Sequence, residues 1–252
     1  MNQVTEKKSA PLPANIFEED AAKGLGDIGQ QDLALPFLKI LGQLSPEVNK
    51  HDGKYVEGSE PGMIFNSVSG DLYDGVKGID VIPCFYKLEY IEWKDRGSEG
   101  SGSPVKIHAS YSDVLSKTTP DANYKDRLPN GNYVEKTASH FVIVLGDNSS
   151  TALISMKSTQ LKISRKWNTM MSGITMKGKN GLFTPASFSH IYRLKTTQLS
   201  NDKGTWFGWE VSKNGPVTDN TLYNQAKTFS ESIAKGSVKA KHSEDKPKES
   251  II

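Results

Sequence analysis

The chain reads as a mainly β or α+β domain: a five-stranded, partly open barrel with added helices and flexible termini. Three observations lead there. At least five runs of β-branched and aromatic residues are bounded by Gly, Pro, Asn and Asp turn signals. Few segments show helical spacing, and both ends are polar and low in apolar content. At 252 residues, 36% of them hydrophobic, there is enough chain for one substantial core with extensions. The expected division is a disordered lead over 1–24, one domain over 25–235 and a charged, disordered tail over 236–252.

The lead, MNQVTEKKSAPLPANIFEEDAAKG, lacks the basic-then-apolar order of a secretion signal. DLALPFLKILGQLSPEV (32–48) then carries Leu38, Ile40, Leu41 and Leu44, which predicts a short helix begun near Pro36 and ended before Pro46. The turn signals HDGK, EGSEPG, VSGD and YDGVKG follow. Among them lie the strand candidates MIFNSV (63–68) and IDVIPCFYKLEYIEW (79–93). Pro83 has no N–H to give a ladder, so it predicts an edge strand or a bulge. An exposed edge there would let two copies of the chain pair.

Two loops, DRGSEGSGSP (95–104) and KTTPDANYKDRLPNGN (117–132), lead to a turn at Asn130-Gly131. HFVIVLGDNSSTALISM reads as a buried strand, a turn at Gly146-Asp147-Asn148 and a second strand, hence a hairpin. From about 156 to 172, Ile163, Trp167, Met170 and Ile174 form the apolar stripe of a helix. Lys162, Arg165 and Lys166 fall together on another face. FSHIYRLKTTQL (188–199) and GTWFGWEVSKNG (204–215) flank SNDKG as a further hairpin. Alternation separates Arg193 and Lys195 from Tyr192 and Leu194, and Trp206 and Glu210 from Trp209. TDNTLYNQAKTFSESIAK (218–235) predicts an amphipathic helix capped by Thr218 or Asp219.

Charge is distributed unevenly. The formal net charge is +2, yet Asn148 through Asn201 contains no Asp or Glu. Lys157, Lys162, Arg165, Lys166, Lys177, Lys179, Arg193 and Lys195 give that block +8 and leave −6 for the remainder. Cations of one sign attract a polyanion, and counterion release makes nucleic-acid binding favourable. The bland account of three cations on a helix is a solvated face, and Trp167 on the docked side reads as core before ligand contact. The whole block, however, runs through a helix, a Gly/Lys loop and a hairpin, interleaved with Trp167, Phe183, Tyr192 and Trp206 as stacking candidates. The expectation is that all eight cations converge into one trough.

Catalytic signatures are missing. The five histidines are scattered singly, and there is no GxxxxGK[ST], GxSxG or dinucleotide fingerprint. Glu18, Glu19 and Asp20 fall in the lead, and Glu89 and Glu92 alternate to opposite faces of a strand. The lone Cys84 rules out an intramolecular disulfide and fits a reducing cytoplasm. No apolar run approaches the roughly 20 residues of a membrane helix. A non-enzymatic protein without cofactor or metal is expected.

DLALPFLKILGQLSPEV, EPGMIFNSVSGDLY, IDVIPCFYKLEYIEW and STQLKISRKWN resemble a family of tailed-phage single-stranded DNA-binding proteins, a likeness that covers about Leu25 to Val211. The resemblance implies an OB-fold-like core that coats exposed DNA during replication or recombination. Lys162, Arg165, Lys166 and Trp167 lie in the matching segment. Phage replication proteins are the implied partners. A transcription cofactor that binds melted promoter DNA and recruits a polymerase is the alternative. Many such proteins end in an acidic tail, whereas this chain ends KHSEDKPKESII, with mixed charge.

Overall fold

The computed structural model describes residues 34–146, 149–202 and 204–238, with single positions at 18, 21, 23, 24, 240 and 242. The expected lead over 1–24 lies outside the described residues apart from those positions. So do Asp147, Asn148 and Lys203 of the predicted turns and the tail from 243 onwards. The chain divides into units 1–33 and 34–252, and every described strand lies in the second.

Among the described residues the fold is mainly β, a curled antiparallel half-barrel with two long helices. Its thirteen described strands are β1 (Leu38–Ile40), β2 (Ile64–Asn66), β3 (Leu72–Tyr73), β4 (Ile79–Trp93), β5 (Lys106–Ala109), β6 (Thr119–Pro120), β7 (Asp126–Arg127), β8 (Tyr133–Leu145), β9 (Ser150–Lys157), β10 (Met176–Gly178), β11 (Gly181–Phe183), β12 (His190–Asn201) and β13 (Gly204–Pro216). The helices are α1 (Leu161–Ser172) and α2 (Asn220–Ala234). Five long strands make the curled sheet in the order β13-β12-β4-β8-β9. β5 adds to the far end of β4, and β7 with β6 to the far end of β8.

β4 and β8 are the spine, paired from Asp80↔Leu145 to Trp93↔Tyr133. The register slips between Pro83 and Phe85, so Pro83 marks a bulge. It does not mark an open edge: Pro83 is buried and β4 lies inside the sheet, which removes the basis for pairing two copies there. The slip also reverses the alternation. Val81 before it and Leu88 after it reach one face; Ile82 before it and Phe85 after it reach the other.

Each face has its own core. On one, Val81, Val142, Ile154, Tyr192, Leu194 and Val211 pack around Trp167 of α1. On the other, Ile82, Phe141, Ile143 and Leu153 take Ala226, Phe229 and Ile233 of α2, residues spaced three and four apart as one helical stripe requires. Asp219 caps α2 by accepting a 2.9 Å hydrogen bond from the Leu222 N–H. Val238 and Ala240 continue along that second core, and the His242 ring meets Phe37 edge-on. The tail expected to be free from 236 is therefore held to the domain at these positions.

The predicted helix at 36–45 is instead extended chain to Ile40 followed by a turn at Gly42–Ser45. Leu153 N–H donates to Pro36 O at 2.8 Å, Phe37 bridges Leu153 in parallel, and β1 pairs with β2. Leu35 and Phe37 join one core while Leu38 and Ile40 join the other, so period-two alternation between two cores overrides a short helical pattern. Leu44, counted as part of the apolar stripe, is 98% exposed.

His140 is the buried titratable group of this core. It shares a 2.8 Å hydrogen bond with Ser164 Oγ, and burial pushes its pKa down to about 3 from 6.5. The unfolded chain takes up this proton near pH 6.5 and the folded chain does not, so stability is full above that pH and falls on acidification towards 3. Urea unfolding across pH 7 to 4 is expected to show the decline. It is expected to be shallower in His140→Gln, and an unchanged slope in that variant contradicts the assignment.

Candidate nucleic-acid interface

α1 forms where the sequence predicted a helix, with a later start after a single 3-10 turn at Ser158–Gln160. Its rotation is fixed by Trp167, which is wholly buried. The indole stacks on His140 with centroids 4.5 Å apart and planes at 18°, and meets Tyr192 at 5.8 Å. Ile163, Met170 and Met171 flank it on the docked side, while Lys162, Arg165 and Lys166 stand exposed on the other. Trp167 and Tyr192 are thereby removed as stacking platforms. Both have no exposed surface, because the sheet needs large side chains to fill the space under α1.

A small hairpin follows α1 directly. β10 and β11 pair Met176 with Phe183, Lys177 with Leu182 and Gly178 with Gly181. Lys177 and Lys179 are exposed, and so are Leu182 and Phe183, the latter by 48%. Phe183 lies against Gly178, where a Cβ would approach its ring to about 3.1 Å. Glycine there leaves room for the ring, which stays exposed on the face of the hairpin opposite Lys177 and Leu182. None of Lys162, Arg165, Lys166, Lys177 and Lys179 forms an ion pair among the described residues.

The remaining cations do not join this surface. Lys157 donates to Glu135 at 2.8 Å. Arg193 forks onto Asp80 at 2.5 and 2.6 Å, and Asn214 adds a third bond to the same carboxylate. The Arg193 guanidinium holds Asp80 below the usual carboxylate range. Lys195 stands across the ladder from Glu210. Because Tyr192 and Leu194 face α1, alternation turns Arg193 and Lys195 to the opposite face of the sheet. The single trough of eight cations is thus not built: acids from outside the block take up part of its charge, and the sheet divides the rest. Trp206 is half-buried at the β12–β13 tip, lining a shallow groove with Thr159 and Asn201.

Cys84 is buried in the bulge, its thiol pushed up to about 12 by desolvation, which makes it a poor nucleophile. Among the described residues no group of three His, Cys, Asp or Glu is placed to hold a metal ion, and no helix is long and apolar enough to cross a membrane.

The two aromatics of this region separate by their cost of removal. Trp167→Ala is expected to destabilise the chain by about 3–5 kcal/mol in urea unfolding, as cavity formation at a large buried side chain does. Phe183→Ala is expected to stay within about 0.5 kcal/mol of the parent, as an exposed position does. Equal losses would contradict the placement of Phe183 on the surface.

No curated protein and no solved structure matches the chain. A family model described as Pam3 phage gp34-like protein matches residues 5–239, a span that takes in every described strand, α1 and α2. The chain therefore belongs to the Pam3 phage gp34-like protein family and is a phage protein.

Proposed function

We propose that this protein binds single-stranded DNA with little sequence preference and coats exposed strands during phage DNA replication or recombination, without catalysing a reaction. One observation carries the reading. Five exposed cations on α1 and the β10–β11 hairpin lack carboxylate partners among the described residues, in a stretch of sequence free of acids, with Phe183 exposed on the same hairpin. Neutralised phosphates release counterions, the main sequence-independent source of affinity. An exposed ring adds about 1–3 kcal/mol per stacked base for any base. The polar face of α1 is cationic and suited to backbone phosphates, which carry no sequence information. Single strands are favoured because their bases are free to reach Phe183.

Fluorescence anisotropy with one labelled oligonucleotide, single-stranded and as a duplex, tests this over a range of salt concentrations. Five phosphate contacts predict a slope of log affinity against log salt of about −3.5 for the single strand. The single strand is expected to bind tighter than the duplex. Joint change of Lys162, Arg165 and Lys166 to Glu is expected to weaken binding by well over tenfold and flatten the slope, in line with loss of about three contacts. Affinity that ignores salt, or survives the triple change, refutes the reading.

A further inference from the structure

A second feature lies apart from the cationic face. Residues of β1, the far ends of β4 and β8, the end of β9 and β13 enclose a cavity of about 430 Å³. That is within the size of small-molecule sites, about 300–1,000 Å³. Its walls are aromatic, with Phe37, Trp93, Phe207 and Trp209. Its charged lining is three cations, Lys39, Arg96 and Lys157, against one carboxylate, Glu135. Trp93 is 4% exposed, and its indole N–H has no hydrogen-bond partner among the described residues; the Ser155 hydroxyl, also buried, has none there either. Buried donors left unpaired are costly, and a ligand that brings acceptors relieves them. The Gln160 side-chain oxygen accepts from the Trp209 backbone N–H at 3.0 Å, leaving its amide nitrogen as a further donor at the wall. Lys157 lines the cavity with its side chain half exposed, tethered to Glu135 beside it.

Flat aromatic walls, two buried polar groups without partners and an excess of cations over carboxylates in the lining together describe a planar heteroaromatic molecule with ring nitrogens or carbonyls and an attached anion. We infer that this cavity binds a single nucleotide, its base between the aromatic walls and its phosphate at Lys157. An aliphatic ligand would fill the volume but leave the Trp93 and Ser155 donors unpaired. The inference rests on the single-strand reading, which it deepens. Gln160 lies two residues before Lys162, so a strand lying along α1 has the cavity adjacent to the start of that helix, and one nucleotide can leave the stack to enter it.

Two of the four tryptophans line the cavity, so intrinsic fluorescence reports on it. The full chain is titrated separately with deoxyadenosine monophosphate, deoxyadenosine and inorganic phosphate, and with a single-stranded oligonucleotide. Saturable quenching by the monophosphate, weaker quenching by the nucleoside and none by phosphate are expected. Ser155→Leu, which fills the cavity, is expected to weaken the monophosphate by at least about tenfold while oligonucleotide binding keeps its dependence on α1. Lys157→Gln, at an exposed position where folding is not at stake, is expected to remove the advantage of monophosphate over nucleoside. If the oligonucleotide binds but the monophosphate does not, or quenching persists unchanged in both variants, the cavity inference is overturned and the single-strand reading stands. If neither ligand binds, both fall.

Discussion

The seat of one indole governs what this molecule presents to its surroundings. Trp167 is packed flat on His140 and against Tyr192, beneath a helix that the core grips on one side. A helix anchored by a single large side chain has little rotational freedom, since turning it would open a void that close-packed interiors do not tolerate. With Trp167 inward, positions 162, 165 and 166 have only solvent to face. The cationic surface is thus a consequence of core packing: hydrophobic burial decides the direction of the charges, and charge decides only what they meet.

The same economy appears in β4. Proline cannot complete the ladder at 83, and the one-residue slip that follows lets a fifteen-residue strand feed two cores. Because the slip reverses which residues reach which face, α1 and α2 dock on opposite sides of one sheet, each on a separate apolar cluster. Bulges also increase local twist, consistent with a sheet that curls and leaves a cavity near its β1 edge.

Much of this was legible in the sequence, and the exceptions have physical causes. Long strands, their hairpins, the Asn130-Gly131 turn and both helices follow from alternation, turn chemistry and helical spacing. The stretch at 36–45 did not, because pairing with β9 is non-local and period two is hard to see in four apolar residues. At the candidate site, the exposed side of α1 could be read from the wheel. Arg193 could not be assigned, since Asp80 is distant in sequence and adjacent only through the register of β12 on β4. A charge count along the chain cannot see partners delivered by the fold. Phe183 was visible as an aromatic among lysines, but its exposure depends on Gly178 and the turn at Gly181. The aromatic cavity had no local signal at all, being assembled from seven separated stretches of chain.

What remains of the acid-free block is a narrower surface than the sequence suggested: one helix face and the hairpin that follows it in sequence, with Lys157 and Arg193 drawn into ion pairs elsewhere on the sheet. The central claim is that DNA follows this narrower path. Amide hydrogen exchange of the full chain, with and without a saturating single-stranded oligonucleotide, tests it most directly. Added protection confined to 161–183 and the residues lining the cavity is the predicted result. Protection centred on the Arg193 and Lys195 side of β12, with α1 and the hairpin unchanged, would contradict it.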